Sequence, residues 1–177
     1  MGKILPSLVL TIICLVASAL LVFAHELTKE NIAEQKELKF SSSVESLFGK
    51  TDSKLVEGDF GDGIEAIAVT PDGRTAVQVI ADGYSKDGIN ILVGIDADGK
   101  VSGIEFVSLG ETPGLGSKVR DIPEFREQFY GTGSNAEAAA VDGISGATFS
   151  SEGMMEAVGQ ALDAYNENKE AILNGGK

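Results

Sequence analysis

The sequence predicts an α+β protein, with an N-terminal transmembrane helix followed by one domain in which an antiparallel sheet is packed by helices. Three observations carry that prediction. Residues 4–24 are an uncharged apolar run. From residue 63, apolar side chains recur at every second position in four short runs separated by Asp-Gly pairs, the pattern of half-buried strands joined by tight turns. Residues 151–173 then return to helical spacing, with Met154, Met155, Val158, Ala161, Leu162 and Tyr165 on one side, before Gly175-Gly176 stops the helix.

At about 1.5 Å per residue the first run reaches roughly 31 Å, enough to cross a hydrocarbon core. Val22-Phe23-Ala24 would pass as a signal-peptide cleavage site, but the run exceeds a typical signal core, so it reads as an anchor. Lys3 precedes it, and His25, Glu26, Lys29 and Glu30 follow; this small difference favours a cytoplasmic N-terminus and a domain outside. Cys14, the only cysteine, lies within the run and reads as a small apolar side chain. One thiol closes no intrachain disulfide and completes neither a zinc nor an iron–sulfur site, although a share in an intersubunit cluster stays open.

Residues 25–39 are good helix formers with too few apolar side chains for a core helix, which suits a stalk continuing the span. Residues 41–62 mix serine, glycine and charge around isolated Leu47, Phe48, Leu55 and Val56, and read as a connector with one helical turn. The strand runs follow: Ile64, Ala66 and Ala68; Val77, Val79 and Ala81; Ile89, Ile91 and Val93; Val101, Ile104, Phe106 and Val107. Turns at Pro71-Asp72-Gly73, Asp82-Gly83, Asp87-Gly88 and Asp98-Gly99 make a meander of about four strands. These aspartates lack the glycine spacing and terminal glutamate of a calcium loop. Residues 122–130 read as a short helix with Ile122, Phe125, Phe129 and Tyr130 on one, core-facing side.

The formal net charge is −13, and the part beyond Lys3 carries −14. Such a surface repels nucleic acid and anionic headgroups, and neither is an expected ligand. Hydrolytic catalysis is also excluded: the sole histidine, His25, sits at the expected membrane interface, and no paired metal ligands or dinucleotide fingerprint accompany it.

Two loops are richer in chemistry. Leu109-Gly110-Glu111-Thr112-Pro113-Gly114-Leu115-Gly116-Ser117-Lys118 is not a Walker loop, because Ser117 separates Gly116 from Lys118. Its glycines permit close backbone approach to a flat ligand, and Thr112, Ser117 and Lys118 offer donors. Asp142-Gly143-Ile144-Ser145-Gly146-Ala147-Thr148-Phe149-Ser150-Ser151 gathers hydroxyls and small residues just before the last helix. With Ser150 or Ser151 as the cap, unpaired N–H groups and the positive end of the helix dipole would face Thr148 and favour a phosphate.

Asp142 through Thr148 resembles the flavinylation motif of the G subunits of Rnf-type ion-translocating electron-transport complexes and of the related C subunit of the sodium-translocating NADH:quinone oxidoreductase. Glu111-Thr112-Pro113-Gly114-Leu115-Gly116 resembles the second signature of that family, in the expected order, and residues 28–34 resemble the segment just beyond its anchor. The absence of the C subunit's extra insertions favours the Rnf G-type member. The resemblance implies an anchor at 1–24, a stalk and connector at 25–62 and an extracytoplasmic FMN-binding domain at 63–177. It further implies FMN held covalently through a phosphoester on Thr148, transferred from FAD by a flavin transferase that recognises Asp142. Glu111, Thr112, Gly114, Leu115, Gly116, Lys118, Ser145, Gly146 and Ala147 would surround the cofactor. The expected function is electron carriage in a cell-membrane ferredoxin:NAD oxidoreductase coupled to sodium or proton movement, alongside the complex's other membrane and flavin or iron–sulfur subunits. The chain would not be catalytic alone. A free-standing flavoprotein for extracellular electron transfer and a non-redox structural module are the alternatives.

Overall fold

The computed structural model describes residues 4–175. Its elements run α1 (Ile4–Phe48), β1 (Lys54–Val56), β2 (Ile64–Val69), β3 (Thr75–Ala81), β4 (Ile89–Ile95), β5 (Val101–Leu109), α2 (Lys118–Asp121), α3 (Pro123–Glu127), α4 (Asn135–Ala138) and α5 (Thr148–Gly175). The architecture is α+β, as the sequence predicts. The chain forms two compact units that divide between Lys39 and Phe40. In the first, Ser7–Lys29 has a mean hydropathy of 2.7 and none of it is buried inside the protein; it is long and apolar enough to cross a membrane.

The second unit is built on a five-stranded antiparallel meander in the order β1-β2-β3-β4-β5. Alternation along each strand sorts side chains by size. Ile67, Val69, Val77, Val79, Ile91, Val93 and Ile95 share a core with Met154, Ala157, Val158, Ala161, Leu162 and Tyr165 of α5. The opposite face carries Ala66, Ala68, Ala76 and Leu92, and packs with Phe40, Val44, Leu47 and Phe48 at the end of α1. Gly94 and Gly103 are register partners on that face. A Cβ on either would come within 2.7 or 2.9 Å of the Leu47 side chain, so the glycine pair forms the notch that Leu47 fills.

Residues 41–62 therefore differ from the connector expected. They contain about two turns of α1 and the added strand β1, which pairs with β2. Phe40, Val44, Leu47 and Phe48 are a helical stripe, but intervening serines and a stripe edge that begins inside the stalk disguise it. The helix end is pinned from the β2–β3 turn: Arg74 donates to the Phe48 carbonyl at 3.3 Å and lies 4.7 Å from the Phe48 ring centre. A Thr70 hydrogen bond, followed by Arg74, holds the neighbouring Asp72 carboxyl below its ordinary value.

The aromatic stripe at 122–130 also needs correction. Phe125 and Phe129 are buried and meet edge to face at 5.4 Å, but Tyr130 is 45% exposed. The helix stops at Glu127, and Gly131 turns the chain so that its N–H reaches the Val101 carbonyl. Tyr130 leaves helical phase there and points out of the core side.

α5 crosses the end of β3 at very short range. A Cβ on Gly153 would overlap the Asp82 carbonyl oxygen and lie 3.0 Å from Ile89 Cδ1. Backbone cannot give way as a flexible side chain can, so Gly153→Ala is expected to destabilise the fold by about 1–3 kcal/mol or more. Denaturant unfolding of the full chain, with Gly133→Ala as a control whose nearest neighbour is 3.5 Å away, measures this.

Candidate functional site

Three loops meet where β5 ends. The Gly110 N–H bonds to the Gly88 carbonyl at 2.7 Å, closing the sheet edge and turning Glu111 inward, where it is 6% exposed. Glu111 Oε1 accepts the Ser85 N–H at 3.0 Å. Oε2 accepts the Tyr84 N–H at 3.3 Å and the Ser150 hydroxyl at 2.6 Å. A Cβ on Gly83 or Gly88 would stand 2.5 Å from Oε1, and one on Gly116 would overlap Oε2. A side chain at any of the three positions would push this carboxylate out of place.

The helix expected to start at Ser150 or Ser151 begins earlier, at Thr148. Neither serine is a cap. Both are buried in the first turn: Ser150 donates to Glu111, while the Ser151 hydroxyl accepts the Ile144 N–H at 3.0 Å. The Ala147 carbonyl receives the Ser151 N–H at 2.9 Å and opens the helical ladder. Among the described residues, the N–H groups of Thr148, Phe149 and Ser150 have no backbone acceptor, as a helix start requires. Gly146, at φ +78°, brings the chain into this start, and Lys118 Nζ lies 4.0 Å from where its Cβ would be.

Thr148 is exposed and lines two clefts of about 450 Å³ each. The first is also bordered by Tyr84, Glu111, Thr112, Leu115, Gly116, Gly146, Ala147 and Phe149. Its rim is apolar yet open: Tyr84 is 74%, Phe149 65% and Leu115 54% exposed, and the two rings meet edge to face at 6.3 Å. The second holds Gly143, Ile144, Ser145, Ser151, Glu152 and Met155.

The sequence-predicted residues thus divide. Glu111, Thr112, Leu115, Gly116, Gly146, Ala147 and Thr148 border one cleft, and Ser145 lies in its neighbour. Gly114 stands at the loop tip at φ +75°, with its N–H on the Ser117 hydroxyl at 2.9 Å and nothing within 4 Å of a Cβ. A Ser117 hydrogen bond, then Arg120, holds the Asp121 carboxyl below its ordinary value, tying the loop to α2. Asp142 borders neither cleft. Its backbone is clamped by Gln128, which accepts the Asp142 N–H at 3.1 Å and donates to its carbonyl at 3.3 Å.

Sequence reasoning missed Tyr84, Phe149 and Gln128. Tyr84 follows an Asp-Gly pair that reads only as a turn. Phe149 carried a usable signal, since it is out of phase with the buried stripe of its own helix.

Along the sequence, the chain is 31% identical over 194 residues to the G-type subunit of the ion-translocating oxidoreductase complex of Aliivibrio fischeri strain MJ11, covering 94% of this chain and 92% of that relative. This chain belongs to the family of G-type subunits of ion-translocating oxidoreductase complexes. The corresponding protein of strain ES114 is 32% identical over 193 residues, covering 94% and 91%. The G-type subunit of the Na(+)-translocating ferredoxin:NAD(+) oxidoreductase complex of Acetobacterium woodii is 30% identical over 104 residues, covering 52% of this chain and 49% of that one. Residues 83–163 match the FMN-binding domain family model. That span begins one residue before Tyr84 and takes in both loops and the first half of α5, so the family's domain and the cleft coincide.

The donor set of the cleft fits FMN. Exposed aromatic and aliphatic side chains suit a flat ring, and an unpaired helix start with a lysine nearby suits a phosphate. In this G-type subunit the Gln128 clamp holds the approach to that start. Gln128→Ala is expected to speed hydrogen exchange at Asp142 and the residues around it while lowering global stability by only about 1 kcal/mol. Peptide-resolved exchange and denaturant unfolding of the full chain check both parts.

Proposed function

We propose that this chain is the electron-carrying subunit of a membrane-bound ferredoxin:NAD oxidoreductase complex coupled to sodium or proton translocation, and that it holds FMN by a phosphoester on Thr148. The observation that carries the proposal is the position of Thr148. It is an exposed hydroxyl at an unpaired helix start, opening into a cleft rimmed by exposed Tyr84, Leu115 and Phe149. The names of the relatives from Aliivibrio and Acetobacterium support the assembly and the redox partners. In this reading residues 1–24 are the anchor and 25–39 the stalk, and the FMN-binding domain on the extracytoplasmic side takes in the end of α1 and β1 together with 63–177.

The flavin would supply reversible electron transfer, and this chain's residues hold and orient it. Tyr84, Leu115 and Phe149 offer apolar and aromatic faces to the ring. The first-turn N–H groups of α5 and the Lys118 ammonium offset phosphate charge. Thr148 would supply the ester oxygen: it would bond to the FMN-side phosphorus of FAD as the bond between the two phosphates breaks, AMP would leave, and the hydroxyl proton would pass to the flavin transferase. Linkage at the phosphate leaves the ring chemically free. It also makes retention independent of affinity, which matters where lost FMN is not readily replaced. Asp142, exposed and outside the clefts, is free for the transferase to recognise.

Peptide mass spectrometry of the protein from its native host should find one FMN, less water, on Thr148, with in-gel flavin fluorescence surviving denaturation. Thr148→Val should abolish both while changing stability by about 0.5 kcal/mol or less, as expected of an exposed position. Flavin retained by this variant would move the acceptor to Ser145, Ser150 or Ser151. An unmodified wild-type peptide from a host that has the transferase would refute covalent attachment.

A further inference from the structure

We propose that Glu111 is a positioning residue, whose buried carboxylate is latched to the Ser150 hydroxyl and holds the start of α5, with Thr148 and Phe149, against the loop that carries Tyr84. The inference rests on the reading of Thr148 as the FMN acceptor, and it gives Glu111 a task other than contact with the ligand.

A carboxylate that recognised a ligand would turn an oxygen toward the cleft. Both oxygens of Glu111 are instead engaged within the protein, accepting from the N–H groups of Tyr84 and Ser85 and from Ser150. A carboxylate only accepts, and it faces three donors drawn from two separate segments. Gly83, Gly88 and Gly116 close around it so tightly that a Cβ on any of them would collide with it. The latch also answers a local need. Ala147 stands before the first residue of α5 and has no side-chain oxygen to cap the helix. A bonded Ser150 and a negative charge beside the first turn stabilise that start instead. One side chain thereby sets the spacing between the acceptor hydroxyl, the Phe149 ring and the Tyr84 ring.

Ser150→Ala removes the latch and leaves the two backbone bonds of Glu111. Glu111→Gln places an amide N–H₂ or a single oxygen where three donors converge, and disturbs both segments. In flavin-free full-length protein, hydrogen exchange of the Ser151 N–H, the first bonded amide of α5, should rise about tenfold or more in both variants, because a hydrogen bond to a charged group contributes on that order. Exchange at Tyr84 and Ser85 should rise in Glu111→Gln alone. Covalent FMN incorporation, followed by intact mass with the flavin transferase and FAD, should slow about tenfold in both. Unchanged exchange of the Ser151 N–H in Ser150→Ala overturns the latch. Faster exchange with wild-type loading overturns the positioning role, and so does slowed loading in Glu111→Gln with normal loading in Ser150→Ala. The exchange measurement needs no flavin, so a wild type that takes no FMN at Thr148 is read separately as a failure of the functional proposal.

Discussion

The site depends on how closely α5 approaches the sheet. At Gly153 the helix backbone sits where no side chain fits between it and the Asp82 carbonyl. One turn earlier, Ser150 reaches Glu111 at 2.6 Å. A bulkier crossing would lift the start of the helix, and the hydroxyl of Ser150 would no longer reach. The close crossing, the serine contact and the exposure of Thr148 are therefore one geometric arrangement. Core burial of Met154, Val158, Ala161 and Leu162 supplies its driving force, at about 25 cal/mol per Å² of apolar surface removed from water.

The sheet has two differently built faces, and each has its own helix. β-branched side chains face α5 and fill the main core, while alanines and paired glycines leave a shallow face for the end of α1. Small residues there let Leu47 seat against backbone. The loops that build the clefts emerge from the β3–β4 turn and the end of β5, so one end of the sheet supplies Tyr84 and Glu111 together.

Much of this was legible in the sequence because it rests on local chemistry. Alternation and Asp-Gly pairs place β2 to β5, helical spacing places α5, and the two motifs mark loops that do converge on one cleft. What was not legible depends on tertiary partners. Ser150 and Ser151 have the composition of helix caps, yet burial against Glu111 and Ile144 decides their roles. The end of α1 is helical because a sheet face waits for Phe40 and Val44; its serines alone suggest a loop. Glu111 looks like a ligand contact in a motif, and only the positions of Gly83, Gly88 and Gly116 reveal an enclosed carboxylate. Tyr130 fits a helical wheel that the chain does not complete.

Charge sets the last constraint. With 27 acidic against 14 basic residues, the chain as a whole repels a phosphate. Screening at physiological salt confines that repulsion to about 8 Å, so the groups within that distance decide. Near Gly146 the attracting ones are the unpaired N–H groups of α5 and Lys118, which makes no ion pair among the described residues, while Glu152 opposes them from the second cleft. Glu111 works against them from behind the helix start, which is tolerable because its charge is already met by three donors. A covalent ester suits such a balance better than reversible binding does. Under the proposed linkage, local attraction would need only to orient the phosphate long enough for the bond to form, and the acidic surface would then have no dissociation equilibrium on which to act.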